Sequence, residues 1–162
     1  MDWHGCLGCD LLAGRQHLPG GIVHRTASWA VNHAIGPLNL GTLIVAPHEH
    51  VVSVADLDDT AASELGPLLR LTTRVIERLC QPEQVYVCLW SHGPAERKHL
   101  HFVVQPVTAA VRLAHGGLRS EQLQATIMKA GQAPPAAQVE RFCDEARSQF
   151  RNHVTFPGTE TT

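Results

Sequence analysis

This chain is short of aromatic residues, of net charge and of long apolar runs. Aromatics make up 5% of its 162 residues, with a single tyrosine, and the formal net charge is −2. A near-neutral chain with a pI of about 6.6 has no basic face to follow a phosphate backbone, so no nucleic-acid partner is expected. Its apolar runs, Thr42–Ala46 and Val85–Trp90 among them, fall far below the roughly 20 residues that cross a bilayer, so no membrane partner is expected either. Met1–Asp10 lacks the basic start and apolar centre of a secretory signal. The expectation is a cytoplasmic protein. Cysteine is also short of a framework. Five is an odd number, which argues against a complete set of secreted disulfides. In a reducing compartment, Cys6-Leu7-Gly8-Cys9 reads as a metal-binding or redox pair.

What is present is enough apolar residue, 44%, for one sizeable core, and eleven histidines, the commonest metal ligand and a frequent base or nucleophile. Leu18-Pro-Gly-Gly21 reads as a turn. Ile22–Arg25 and Ser28–His33 form a predicted hairpin, and Thr42–Ala46 a buried strand stopped at Pro47. Between Asp58 and Leu79, Leu65, Leu68, Leu69, Thr72, Val75, Ile76 and Leu79 recur at helical spacing. Pro67 should bend that helix or restart it, because it has no amide to donate. Val85–Trp90 and His99–Gln105 are predicted as antiparallel neighbours across a short loop, the second ending at Pro106. Ser120–Ala130 and Ala136–Phe150 look helical, with Pro134-Pro135 suited to the start of the latter. The tail from Thr155 to Thr162 is expected to be disordered.

The Cys6/Cys9 pair gains meaning from its possible partners. His50 follows a strand end and His99 opens a strand, and two thiolates with two imidazoles make a closed structural zinc site. Soft sulfur excludes magnesium and calcium. Three alternatives stand beside it. The cysteines are two small buried hydrophobes, or a redox pair, though no strand precedes them. Alternatively, His99 and His101, on one face of a strand, join a third histidine around an open catalytic zinc. The closed site is preferred because it uses the cysteines and leaves His101 free. His48, His92, His115 and His153 are by default solvated or hydrogen-bonded.

His99-Leu100-His101-Phe102-Val103-Val104-Gln105-Pro106 resembles the signature of the histidine-triad (HIT) superfamily of nucleotide hydrolases and transferases. In that signature three histidines alternate with apolar residues, often closed by proline. The register makes His101 the middle histidine, with Val103 in the place of the third. The resemblance covers roughly residues 5 to 107 and implies an α+β fold, an antiparallel sheet with a packed central helix; the later helices are an addition to it. Residues 1–107 would form the HIT-like domain with its N-terminal zinc knuckle, and 108–154 a helical extension of the same domain. The resemblance further implies structural zinc on Cys6, Cys9, His50 and His99, and a homodimer. It makes His101 the nucleophile at the α-phosphorus of a nucleotide or nucleotide conjugate, through a nucleotidyl-histidine. Substrate contacts would fall on Ser91, His92 and Gly93 before the motif, on Gln105, and on Asn32 or His33 in place of a ribose-binding acid. The alternative is a zinc-stabilised nucleotide-binding or interaction module whose catalysis is impaired by Val103.

Overall fold

The computed structural model describes residues 5–90, 98–117 and 120–153. A short helix α1 (Leu7–Leu12) precedes the hairpin β1 (Ile22–Arg25) and β2 (Trp29–His33), then β3 (Leu43–Pro47), a 3-10 turn and the long helix α2 (Asp59–Cys80). β4 (Gln84–Trp90) and β5 (His101–Val107) follow, then α3 (Ala109–Ala114), α4 (Ser120–Ala130) and α5 (Ala136–His153). The five strands form one antiparallel sheet in the order β1-β2-β3-β5-β4. The α+β architecture is the one the sequence implies.

Strand alternation divides the sheet into two faces. Trp29, Val31, Leu43, Val45 and Val104 pack with Leu68, Val75 and Ile76 of α2 and with Val139, Phe142, Cys143, Ala146 and Phe150 of α5. The α5 residues recur at three- and four-residue steps, which is why this helix buries one stripe. On the opposite face, Ala34, Val103 and Val107 pack with Leu123 and Ile127 of α4. The helices after Gly117 therefore cover both faces of the sheet.

Polar side chains fix the joints. Asp58 caps α2 by accepting from the Ala61 amide at 2.7 Å, which satisfies a donor that the first turn leaves open. Glu64 of α2 clamps the β1–β2 turn, accepting from the Thr26 hydroxyl at 2.6 Å and the Ser28 amide at 3.1 Å. Trp29 donates its indole N–H to the Ala61 carbonyl at 2.9 Å. Gly20, with φ of +74°, sits against α5 where an added Cβ would lie 2.4 Å from Cys143 Sγ. All five cysteines are free.

Three details differ from expectation. Pro67 lies inside a continuous α2; it is exposed, so the carbonyl left without a partner one turn earlier is on the side that water reaches. His99 is not in a strand, because pairing of β4 with β5 begins only at Trp90 and His101. Pro106 does not end β5 but pairs with Val85 inside it. Its carbonyl accepts from Asn39 at 2.8 Å, so its missing amide lies on the side where β3, which starts at Leu43, no longer runs. The predicted tail lies outside the described residues. None of the described helices is long and apolar enough to cross a membrane.

Candidate metal centre and adjoining cavity

Cys6 stands at the N-cap of α1 and Cys9 one helical turn later, so both sulfurs come to the same side. His50 lies just after β3 and His99 just before β5. The topology thus carries two chain segments from the end of the sheet to the N-terminal turn. The four ligand atoms lie within 4.8 Å of one another. Cys6 Sγ is 3.5 Å from His99 Nδ1, Cys9 Sγ is 3.4 Å from the same nitrogen, and Cys9 Sγ is 3.3 Å from His50 Nδ1. A tetrahedral zinc with ordinary bond lengths separates sulfur from nitrogen by about 3.6 Å, so these spacings fit the ion with little adjustment.

The protonation pattern fits as well. His99 Nε2 donates to the Pro47 carbonyl at 2.9 Å, which leaves Nδ1 as the lone pair facing both sulfurs. Burial lowers the His99 pKa, keeping the ring neutral as a ligand must be. Burial, with Cys6 beside it, pushes the Cys9 thiol up to about 12. A thiol raised that far gives up its proton at neutral pH when a cation takes its place. Gly8 belongs to the same construction. A Cβ there would come within 2.6 Å of His99 Cγ, so position 8 must be glycine for α1 to approach the ring.

His101 is outside this four-residue set. Its Nδ1 donates to the His99 carbonyl at 2.8 Å, which fixes the tautomer and leaves the Nε2 lone pair for chemistry. His99 and His101 do not converge as two ligands of an open site, since His101 begins the strand while His99 is turned back towards Pro47.

Beside the metal set is a cavity of about 350 Å³, lined on one side by Leu7, Gly8, Leu11 and Leu12 and on the other by Met128. Its floor is the sheet, with Asn32, Ile44, His101 and Val103, and His99 completes the rim. Asn32, His99 and His101 are its polar side chains. The Asn32 amide donates to the His33 carbonyl at 2.8 Å.

Two expected contacts fall elsewhere. His33 points into the opposite face, fully buried and edge-on to Phe142. The Gly41 amide donates to its Nε2 at 3.0 Å and its Nδ1 donates to the Ala34 carbonyl at 2.7 Å. Alternation puts neighbours Asn32 and His33 on different faces, and only Asn32 reaches the cavity. Gln105 is fully buried and donates its amide to Asn39 Oδ1 at 2.6 Å, because the Gly36–Gly41 loop closes over that end of the strand. Ser91, His92 and Gly93 lie outside the described residues. Sequence reading missed the cavity walls, Leu7, Leu11, Leu12 and Met128. The only signal for the first three was leucine at helical spacing around the cysteines, over too short a stretch to stand out.

Comparison with solved structures gives the same architecture. A zinc-bound histidine-triad family protein from Mycobacterium smegmatis superposes with a TM-score of 0.67 at 14% identity, over 95% of this chain and 99% of that one. The chain has the histidine-triad fold. A HIT-like protein involved in cell-cycle regulation from Bartonella henselae has a TM-score of 0.66 at 14% identity, over 92% and 98% of the two chains. A hypothetical histidine-triad nucleotide-binding protein from Sulfolobus tokodaii has a TM-score of 0.66 at 16% identity, over 97% and 99%. Coverage this complete takes in the helices after Gly117, so in this version of the histidine-triad fold they are shared architecture. No family model matches the sequence, and neither does any curated protein.

Proposed function

We propose that this protein binds a nucleotide or nucleotide conjugate in the cavity and cleaves it at the α-phosphorus through His101. The observation that carries this reading is the 2.8 Å bond from His101 Nδ1 to the His99 carbonyl. It fixes the tautomer with the proton on Nδ1 and aims the Nε2 lone pair, as a nucleophile requires. The His101 Nε2 lone pair forms a P–N bond while the bond from phosphorus to the leaving group breaks, the leaving group departing with the electron pair. Water then attacks phosphorus, the P–N electrons return to Nε2, and the water's proton passes to solvent. Cys6, Cys9, His50 and His99 hold structural zinc, and four protein ligands leave no open position on the ion for substrate.

Val103 shapes the choice of substrate. It lies two residues beyond His101 on the cavity floor and carries no proton for a leaving group. Leaving groups stable as anions, such as the phosphate side of an anhydride, therefore depart more readily than amines, which need protonation. Diadenosine polyphosphates and sugar nucleotides should turn over about tenfold or more faster than adenosine phosphoramidate, and Val103→His should narrow that gap. Equal rates on all three would contradict this account of Val103.

A second reading is favoured by the same residue: a nucleotide-binding module without turnover, working in the cytoplasm. It predicts that AMP binds while no substrate in the panel is consumed. In either case β4, which pairs only with β5 among the described residues, offers an antiparallel edge with Val87 and Leu89 nearly half exposed. An unprotected apolar edge invites pairing, and we assign it to a second copy of the chain. Light scattering should give a dimer for the native protein and a monomer for Val87→Lys/Leu89→Lys; a monomeric native protein would refute the assignment.

A further inference from the structure

Helix α1 differs from every other long-range element in how it is attached. None of its six residues is buried, and none belongs to either apolar cluster. The backbone hydrogen bonds from Asp10 to Gln16 all return to Cys6, Cys9, Asp10 or Leu11, and Arg15 pairs with Asp10 at 2.8 Å inside the same segment. Among the described residues, Cys6 and Cys9 bring this segment up to the sheet side, opposite His50 and His99. Yet Leu7, Leu11 and Leu12 form a whole wall of the cavity, with Leu7 still 47% exposed. A helix of under two turns does not hold itself together in water.

We infer that α1 is a metal-latched wall: the ion on Cys6, Cys9, His50 and His99 holds Leu7, Leu11 and Leu12 against the cavity, and these leucines select the apolar part of the ligand. The identity of that ligand rests on the nucleotide reading above; the latch does not. The sheet and its two clusters stand without the ion, because no ligand side chain belongs to them. Metal loss opens one side of the cavity and exposes its apolar floor without unfolding the domain. A nucleoside monophosphate would then lose the surface that covers its base, while the polar atoms of Asn32 and His101 stay in place.

The experiment is amide exchange on the full chain, zinc-loaded and chelator-stripped, with no nucleotide present. Exchange in residues 5–16 should accelerate about tenfold or more on stripping, while residues 68–80 and 102–107 change less than about twofold. Unchanged exchange in residues 5–16, or loss of protection throughout α2, would overturn the latch. AMP titration supplies the second readout. Its Kd should rise about tenfold or more both on stripping and in zinc-loaded Leu11→Ser, whose exchange and zinc content should match the native protein. Undiminished AMP binding in either would overturn the wall's role. If zinc-loaded protein binds no AMP while the exchange contrast appears, the nucleotide reading falls and the metal-latched wall stands.

Discussion

The two faces of the sheet are built on different principles. The α2–α5 face is a close-packed core, with Trp29, Phe142 and Phe150 buried and even its imidazole, His33, bonded at both nitrogens. The cavity face carries a smaller cluster, where Leu123 and Ile127 of α4 pack on Ala34, Val103 and Val107, and beside it the cavity. α4 packs on the sheet and adds Met128 to the cavity lining, whereas α1 contributes leucines to the lining and none to either cluster. The larger buried core belongs to the first face and the cavity to the second, where Cys6, Cys9, His50 and His99 are grouped so that an ion would tie α1 to the sheet. The same His99 that faces the cysteines also donates to the Pro47 carbonyl and accepts from His101 through its own carbonyl, which links the ligand cluster to the cavity floor.

That comparison can be broken from either side. Cys9→Ser should lower zinc affinity by more than about a hundredfold, measured by competition with a chromophoric chelator, while leaving the core's far-UV dichroism unchanged. Global unfolding of this variant at ambient temperature would erase the distinction between the faces. Phe150→Ala is the converse. Its ring is buried at the C-terminal end of the α5 stripe and stacks on His24 with centroids 4.7 Å apart, and its loss should cost about 3–5 kcal/mol in denaturant unfolding. Zinc stoichiometry should be untouched; a variant that lost the metal would show the faces to be one unit.

Smaller changes sharpen the contrast. Gly8→Ala should weaken zinc about tenfold to a hundredfold, because the new methyl meets the His99 ring and displaces a ligand held by its neighbours. Native zinc affinity in Gly8→Ala would show that α1 does not approach the ring as closely as described. The smallest effect concerns pH. Burial depresses the His33 pKa from its ordinary 6.5, so below 6.5 the unfolded chain binds more protons than the folded one. The stability this gives is complete above 6.5 and is lost as pH falls towards the depressed folded value. His33→Gln should flatten that acid slope, read from unfolding midpoints at stepped pH. An unchanged slope would place the titrating group elsewhere.

The sheet and the long helix were legible because each rests on a local rule, and the cluster of Cys6, Cys9, His50 and His99 was legible through the zinc chemistry of its residue types and the resemblance. Alternation marked β2 and β3, and three- and four-residue steps marked α2. The errors came where tertiary context decides. Pro67 was tolerated because it faces water, and Pro106 because β3 stops short of it. Asn32 and His33 were equal candidates in the sequence, and only the sheet's two faces separate them. Gln105 looked available, but a loop closing from residue 39 had already claimed its amide. The α1 wall was least legible of all, since six residues carry no periodicity strong enough to read and their position depends on residues 41 and 90 places away.

The most direct test of the central claim is turnover by the purified, zinc-loaded protein, with His101→Ala alongside, on diadenosine polyphosphates, sugar nucleotides and adenosine phosphoramidate. The account predicts cleavage at the α-phosphorus by the native chain, reduced on the order of a thousandfold or more in His101→Ala with zinc and fold retained. Undiminished turnover in His101→Ala would contradict the nucleophile, and no turnover by the native chain on any of them would contradict the enzyme and leave the binding module.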